Sequence, residues 1–85
     1  MKRTLAEMDI GQTASIMRIN AKGDIRRRLL DMGLLKNIRF KVVRVAPLGD
    51  PIEIIVKNLH VSLRKKEAET IIVDVNHIEK ADTQS

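Results

Sequence analysis

The chain has no cysteine, tryptophan or tyrosine, and its single aromatic residue is Phe40. Without cysteine there is neither a disulfide framework nor a thiolate metal centre, and a reducing compartment, the cytoplasm, is the expected setting. Without aromatic side chains the platform on which single-strand binders stack bases is missing, as is the groove that seats proline-rich peptides. The glycines, Gly11, Gly23, Gly33 and Gly49, are isolated, so no glycine-rich loop can cradle nucleotide phosphates. Ser15, Ser62 and Ser85 lie in no nucleophile-elbow motif, two histidines give little support to a triad, and Glu67 and Glu69 read as acids solvating a turn. The chain is therefore expected not to be an enzyme. Long apolar runs are also absent: Ile54-Ile55-Val56 and Ile71-Ile72-Val73 fall far short of the roughly 20 residues that cross a bilayer. Met1-Lys2-Arg3 begins with positive charge, but the charges within Thr4 to Asp9 exclude a signal-peptide core.

What remains is an ordinary globular balance in 85 residues, 44% apolar and 32% charged, enough for one domain with a modest core. The formal net charge of +5 favours anionic partners through long-range attraction. Leu5, Met8 and Ile10 lead into a turn at Asp9–Gln12, and Thr13 to Ile19 reads as a first strand. Asp24 to Met32 reads as a short helix with Ile25, Leu29 and Met32 facing inward. Asp24 stands at the acid-first i,i+4 spacing from Arg28, and Gly33 is the expected left-handed stop over which Leu34 folds back. Consecutive helix positions point about 100° apart, so Arg26, Arg27 and Arg28 cannot form one basic face. Arg26 and Arg27 read as solvated, whereas Arg28 borders the buried stripe and could offer its guanidinium to a partner.

Ile38, Phe40 and Val42 alternate on one face while Val43 and Val45 take the opposite parity, which predicts a bulge in that strand. Ile52, Ile54 and Val56, a tight turn at Lys57-Asn58, and Leu59, Val61 and Leu63 form a hairpin. Arg64 to Glu69 reads as a helical turn before a last strand, Ile71 to Val75. The architecture expected is mainly β: a small, strongly bent, five-stranded SH3-like barrel over residues 1–76. It has one short helix after the first strand and a helical turn before the last, and 77–85 form a polar tail.

Between the third strand and the hairpin lies Ala46-Pro47-Leu48-Gly49-Asp50-Pro51. Two prolines of fixed φ bracket a glycine free to take positive φ, so the loop should hold one shape. Leu48 either projects from it for recognition or folds back to plug one end of the barrel. His60 is out of phase with Leu59, Val61 and Leu63, and His77 opens the tail. They form no ligand motif, and neither a metal site nor a cofactor is expected.

The series Gly11, Ile16, Ile19, Arg28-Leu29, Met32-Gly33-Leu34, Val42, Pro47-Leu48-Gly49-Asp50-Pro51-Ile52, Ser62-Leu63-Arg64-Lys65, Glu67-Ala68 and Ile71-Ile72-Val73 closely resembles the FeoA family, ferrous iron transport protein A. The resemblance runs from Leu5 to about Val75. It departs at Lys36-Asn37, where the family often has Pro-Gly, and at Asn58, where it has glycine; asparagine tolerates the left-handed backbone such turns need. The resemblance implies an SH3-like cytoplasmic accessory protein that binds the cytoplasmic part of FeoB, the GTPase-coupled membrane transporter of ferrous iron, and that meets the membrane only through this partner. Leu48, Gly49 and Asp50 would be the anchor loop, with Arg28, Arg64 and Lys65 as charged contacts. The alternative is a basic SH3-like module that binds nucleic acid, which the charge favours and the missing aromatics oppose, or a detached module akin to the SH3-like domain of iron-dependent repressors.

Overall fold

A computed structural model describes residues 2–75, so the polar tail at 77–85 and His77 lie outside the described residues. The elements are β1 (Lys2–Thr4), a 3-10 turn (Leu5–Glu7), β2 (Thr13–Ile19), α1 (Gly23–Asp31), β3 (Arg39–Val45), β4 (Ile52–Val56), β5 (Leu59–Leu63), α2 (Lys65–Ala68) and β6 (Ile71–Val75). All strand pairings are antiparallel and form one sheet in the order β1-β6-β2-β3-β4-β5.

Among the described residues six strands stand where five were expected, and β1 and β5 are the two ends of their sheet, so the ladder they form does not close into a barrel. The extra strand is β1, which pairs Lys2, Arg3 and Thr4 with Asp74, Val73 and Ile72 of β6. Its polar sequence carries no alternation; the pairing edge of β6 makes it a strand.

The bulge expected in β3 is present: Val42 faces Ile54, but Arg44, two residues on, faces Glu53. A second shift interrupts the β2–β6 ladder between Ile16 and Arg18. Such irregularities bend and twist a sheet, so that one face can wrap its own core. Ile16, Val42, Ile52, Ile54, Leu63, Ile71 and Val73 are buried there, with Leu5 and Leu29 entering from the 3-10 turn and α1. Ile10, in the turn that precedes β2, is exposed.

Helix α1 ends as its sequence predicts. Gly33 has φ +90°, its N–H donates to the carbonyl of Leu30 at 2.9 Å, and the Leu34 N–H donates to that of Leu29 at 3.2 Å. That is a Schellman closure, and both Leu29 and Leu34 are fully buried. The hairpin turn Lys57-Asn58 has φ +50° and +68°, the pair of left-handed residues that a two-residue connection of twisted strands requires. The β3–β4 loop thus sits at one end of the sheet, and the β4–β5 turn at the other.

Candidate partner-docking surface

In the β3–β4 loop the Gly49 N–H donates to the Ala46 carbonyl at 2.7 Å, which places Pro47 and Leu48 at the centre of a four-residue turn. Proline at the second position and glycine at the fourth are the residues such a turn favours. The Ala46 N–H closes the base by donating to the Pro51 carbonyl at 3.1 Å, and Gly49 takes φ +82°. With its backbone bonded inwardly, the loop leaves Leu48 89% exposed. The side chain points to solvent and does not plug the sheet.

Asp50 ties this loop to α2: its Oδ1 accepts the Lys65 N–H at 3.1 Å. One turn on, Glu67 folds back so that its Oε1 accepts the Arg64 N–H at 2.9 Å, the acidic half of a capping box. Asp50, Arg64, Lys65, Lys66 and Glu69 line a shallow depression of about 380 Å³ beside the loop. Leu48, Gly49, Asp50, Arg64 and Lys65 therefore belong to one surface region, in which an apolar knob stands next to exposed cations.

Arg28 has a different place. Its Nε donates to Glu67 Oε2 at 2.7 Å, so its guanidinium is engaged within the chain. The helical ion pair goes instead to Arg27, whose Nη1 lies 3.7 Å from Asp24 Oδ1. Arg26 donates from Nη1 to the Ile19 carbonyl at 3.1 Å.

Glu67, read from sequence as an acid solvating a turn, is a buried residue joining α1 to α2; its side chain is 7% exposed against 53% for Arg28. A carboxylate can be buried when charged and backbone donors satisfy both oxygens, and here each oxygen has one. The only signal in the sequence is the three-residue offset from Arg64, since the partner across the fold lies 39 residues away.

Among the described residues no three His, Cys, Asp or Glu side chains gather into a group that could hold a metal ion. His60 is exposed on β5, opposite Ile55 of β4. Within the same residues no helix is long and apolar enough to cross a membrane.

A family model described as FeoA domain matches residues 3–75. A Porphyromonas gingivalis protein described as an Fe(2+) transport protein A/Fe(2+) transporter FeoB fusion protein is 37% identical over 71 residues. The match covers 84% of this chain but 8% of that much longer protein. The solution structure of FeoA protein from Chlorobium tepidum superposes with a TM-score of 0.79 at 40% identity, covering 86% of this chain and 70% of the other. Stenotrophomonas maltophilia FeoA, crystallised with zinc and described as an SH3 domain protein possibly acting as a bacterial ferrous iron transport activating factor, gives 0.75 at 29% identity, covering 85% and 89%.

Proposed function

We propose, from the premise that the chain belongs to the FeoA domain family, that it is a cytoplasmic accessory protein of ferrous iron uptake. In this reading it docks through the Leu48 loop on the cytoplasmic part of a FeoB-type transporter. The observation that carries the reading is Leu48 itself, 89% exposed on a loop whose backbone bonds and contact with α2 hold it still. A large apolar side chain on a stiff turn loses little conformational entropy when a pocket closes over it, which is the economy of an interface anchor. Arg64 and Lys65, beside it, supply the charged rim. The Porphyromonas gingivalis relative supports the pairing, because there the two kinds of domain share one polypeptide.

Docking acts on the transporter by differential contact: the state that presents the better pocket to Leu48 gains population. An amide chemical-shift titration of this chain with the isolated FeoB-type cytoplasmic domain, in each nucleotide state, tests the reading. Shifts should centre on residues 46–51 and 64–66. Leu48→Glu, with an otherwise native amide spectrum, should lower affinity by at least about tenfold, the loss of a buried leucine anchor. Undiminished affinity in that variant would place the interface elsewhere.

A further inference from the structure

The end of the sheet opposite Leu48 also carries exposed apolar side chains. The turn Leu35–Ile38, closed by the Ile38 N–H donating to the Leu35 carbonyl at 3.1 Å, runs directly into β3, and Lys57-Asn58 directly follows β4. Because β3 and β4 are antiparallel, with Lys41 facing Ile55 and Val56 facing Leu59 across the next ladder, these two turns share one end. The seven residues of β3 separate them from the Leu48 loop by about 20 Å.

Each turn presents the same pair, a leucine and a lysine. Leu35 is 47% exposed beside Lys36, and Leu59 is 63% exposed beside the hairpin apex that carries Lys57. Lys41 stands exposed between them on β3. Neither 34–41 nor 54–61, the segments that build this end, contains an aspartate or glutamate. In register, Glu53 of β4 faces Arg44 on the Leu48 side of Lys41, and Asp74 lies two strands from β3, beyond Ser15 of β2.

We infer that this end is a second contact surface and that it rests on an anionic lipid bilayer. Two apolar prongs beside separate turns suit a fluid interface, which accepts both without a preformed socket. Lysines next to each prong meet the negative headgroups on the same approach. Because the surface lies at the far end from Leu48, both can be occupied together, and the inference stands independently of the transporter-docking proposal.

Co-sedimentation of the full chain with phosphatidylcholine vesicles, with and without about one-third phosphatidylglycerol, tests it. Binding is expected to the anionic vesicles and to weaken as salt is added. The Lys36→Gln/Lys57→Gln variant should lose about 25-fold, since each interfacial lysine contributes about fivefold. Leu59→Ser should lose about tenfold, and Leu48→Glu should bind as the parent does. The inference is overturned by equal binding to neutral vesicles, by no binding, or by parental binding of the lysine or Leu59 variant. Loss on Leu48→Glu would move the contact to the other end.

Discussion

Glu67 does more for this molecule than its place in a charged run suggests, since one carboxylate caps α2 through Arg64 and holds α1 through Arg28. Hydrogen bonds to charged groups contribute about 1.5–3 kcal/mol, and the loss is largest where the remaining partner cannot rehydrate. Glu67→Ala is expected to lower stability by about 2–3 kcal/mol. Arg28→Ala should lower it by about 1–2 kcal/mol, because half of that side chain already meets solvent while the carboxylate it leaves is buried. The double variant should lose less than the sum, and urea unfolding of the four proteins closes the cycle. Additive losses would mean that the contact between α1 and α2 contributes nothing. At the opposite extreme stands Leu48, where truncation to alanine should change stability by less than about 0.5 kcal/mol. Leu63→Ala, in the same chain and fully buried, should cost about 2–5 kcal/mol. That contrast separates a side chain kept for contact from one kept for packing. Sequence spacing placed Leu48 in a stiff loop but left its direction open. It paired Arg28 with the wrong acid, because a local i,i+4 rule cannot see a carboxylate brought in by α2.

Elements whose ends are written in backbone chemistry were legible: the stop of α1 at Gly33, the bulge in β3 and the two-residue turn of the hairpin each follow from a residue type or a change of parity. β1 was not, because three polar residues become a strand only when β6 offers an edge. The Gly33 closure permits a clean test of backbone against packing. A Cβ built there meets nothing within 4 Å, so any cost of Gly33→Ala comes from holding an L-residue at φ +90°. That cost is expected at about 1–2 kcal/mol. Asn58→Gly, which relieves a left-handed residue in the β4–β5 turn, should move stability the other way, by about 0.5–1 kcal/mol. Thermal unfolding of both variants should therefore give shifts of opposite sign. Two shifts of one sign would show that side-chain contacts, not φ, govern these turns.

For the whole molecule, the open ladder has a consequence for how it would meet a transporter. A bent sheet with its loops at two ends, one carrying Leu48 and the other Leu35 and Leu59, can touch two things at once without changing shape. When such a module is free, its occupancy depends on affinity and therefore, on the docking proposed above, on Leu48. When it is joined to its partner in one polypeptide, the arrangement of the Porphyromonas gingivalis fusion relative, an effective concentration on the order of 1 mM is what a short flexible linker would supply. An anchor variant weakened to a dissociation constant of about 100 µM would then still be docked about nine-tenths of the time, whereas the same variant supplied separately at low micromolar concentration would be almost entirely free. Leu48→Glu should consequently impair iron uptake when this chain is supplied apart from its transporter, and much less when it is fused to the transporter's cytoplasmic side through a Gly/Ser linker. Radiolabelled ferrous iron uptake by cells carrying each of the four combinations measures this. Equal impairment in the fused and separate forms would mean that Leu48 acts after docking, by changing the transporter's state, and not by holding the two together.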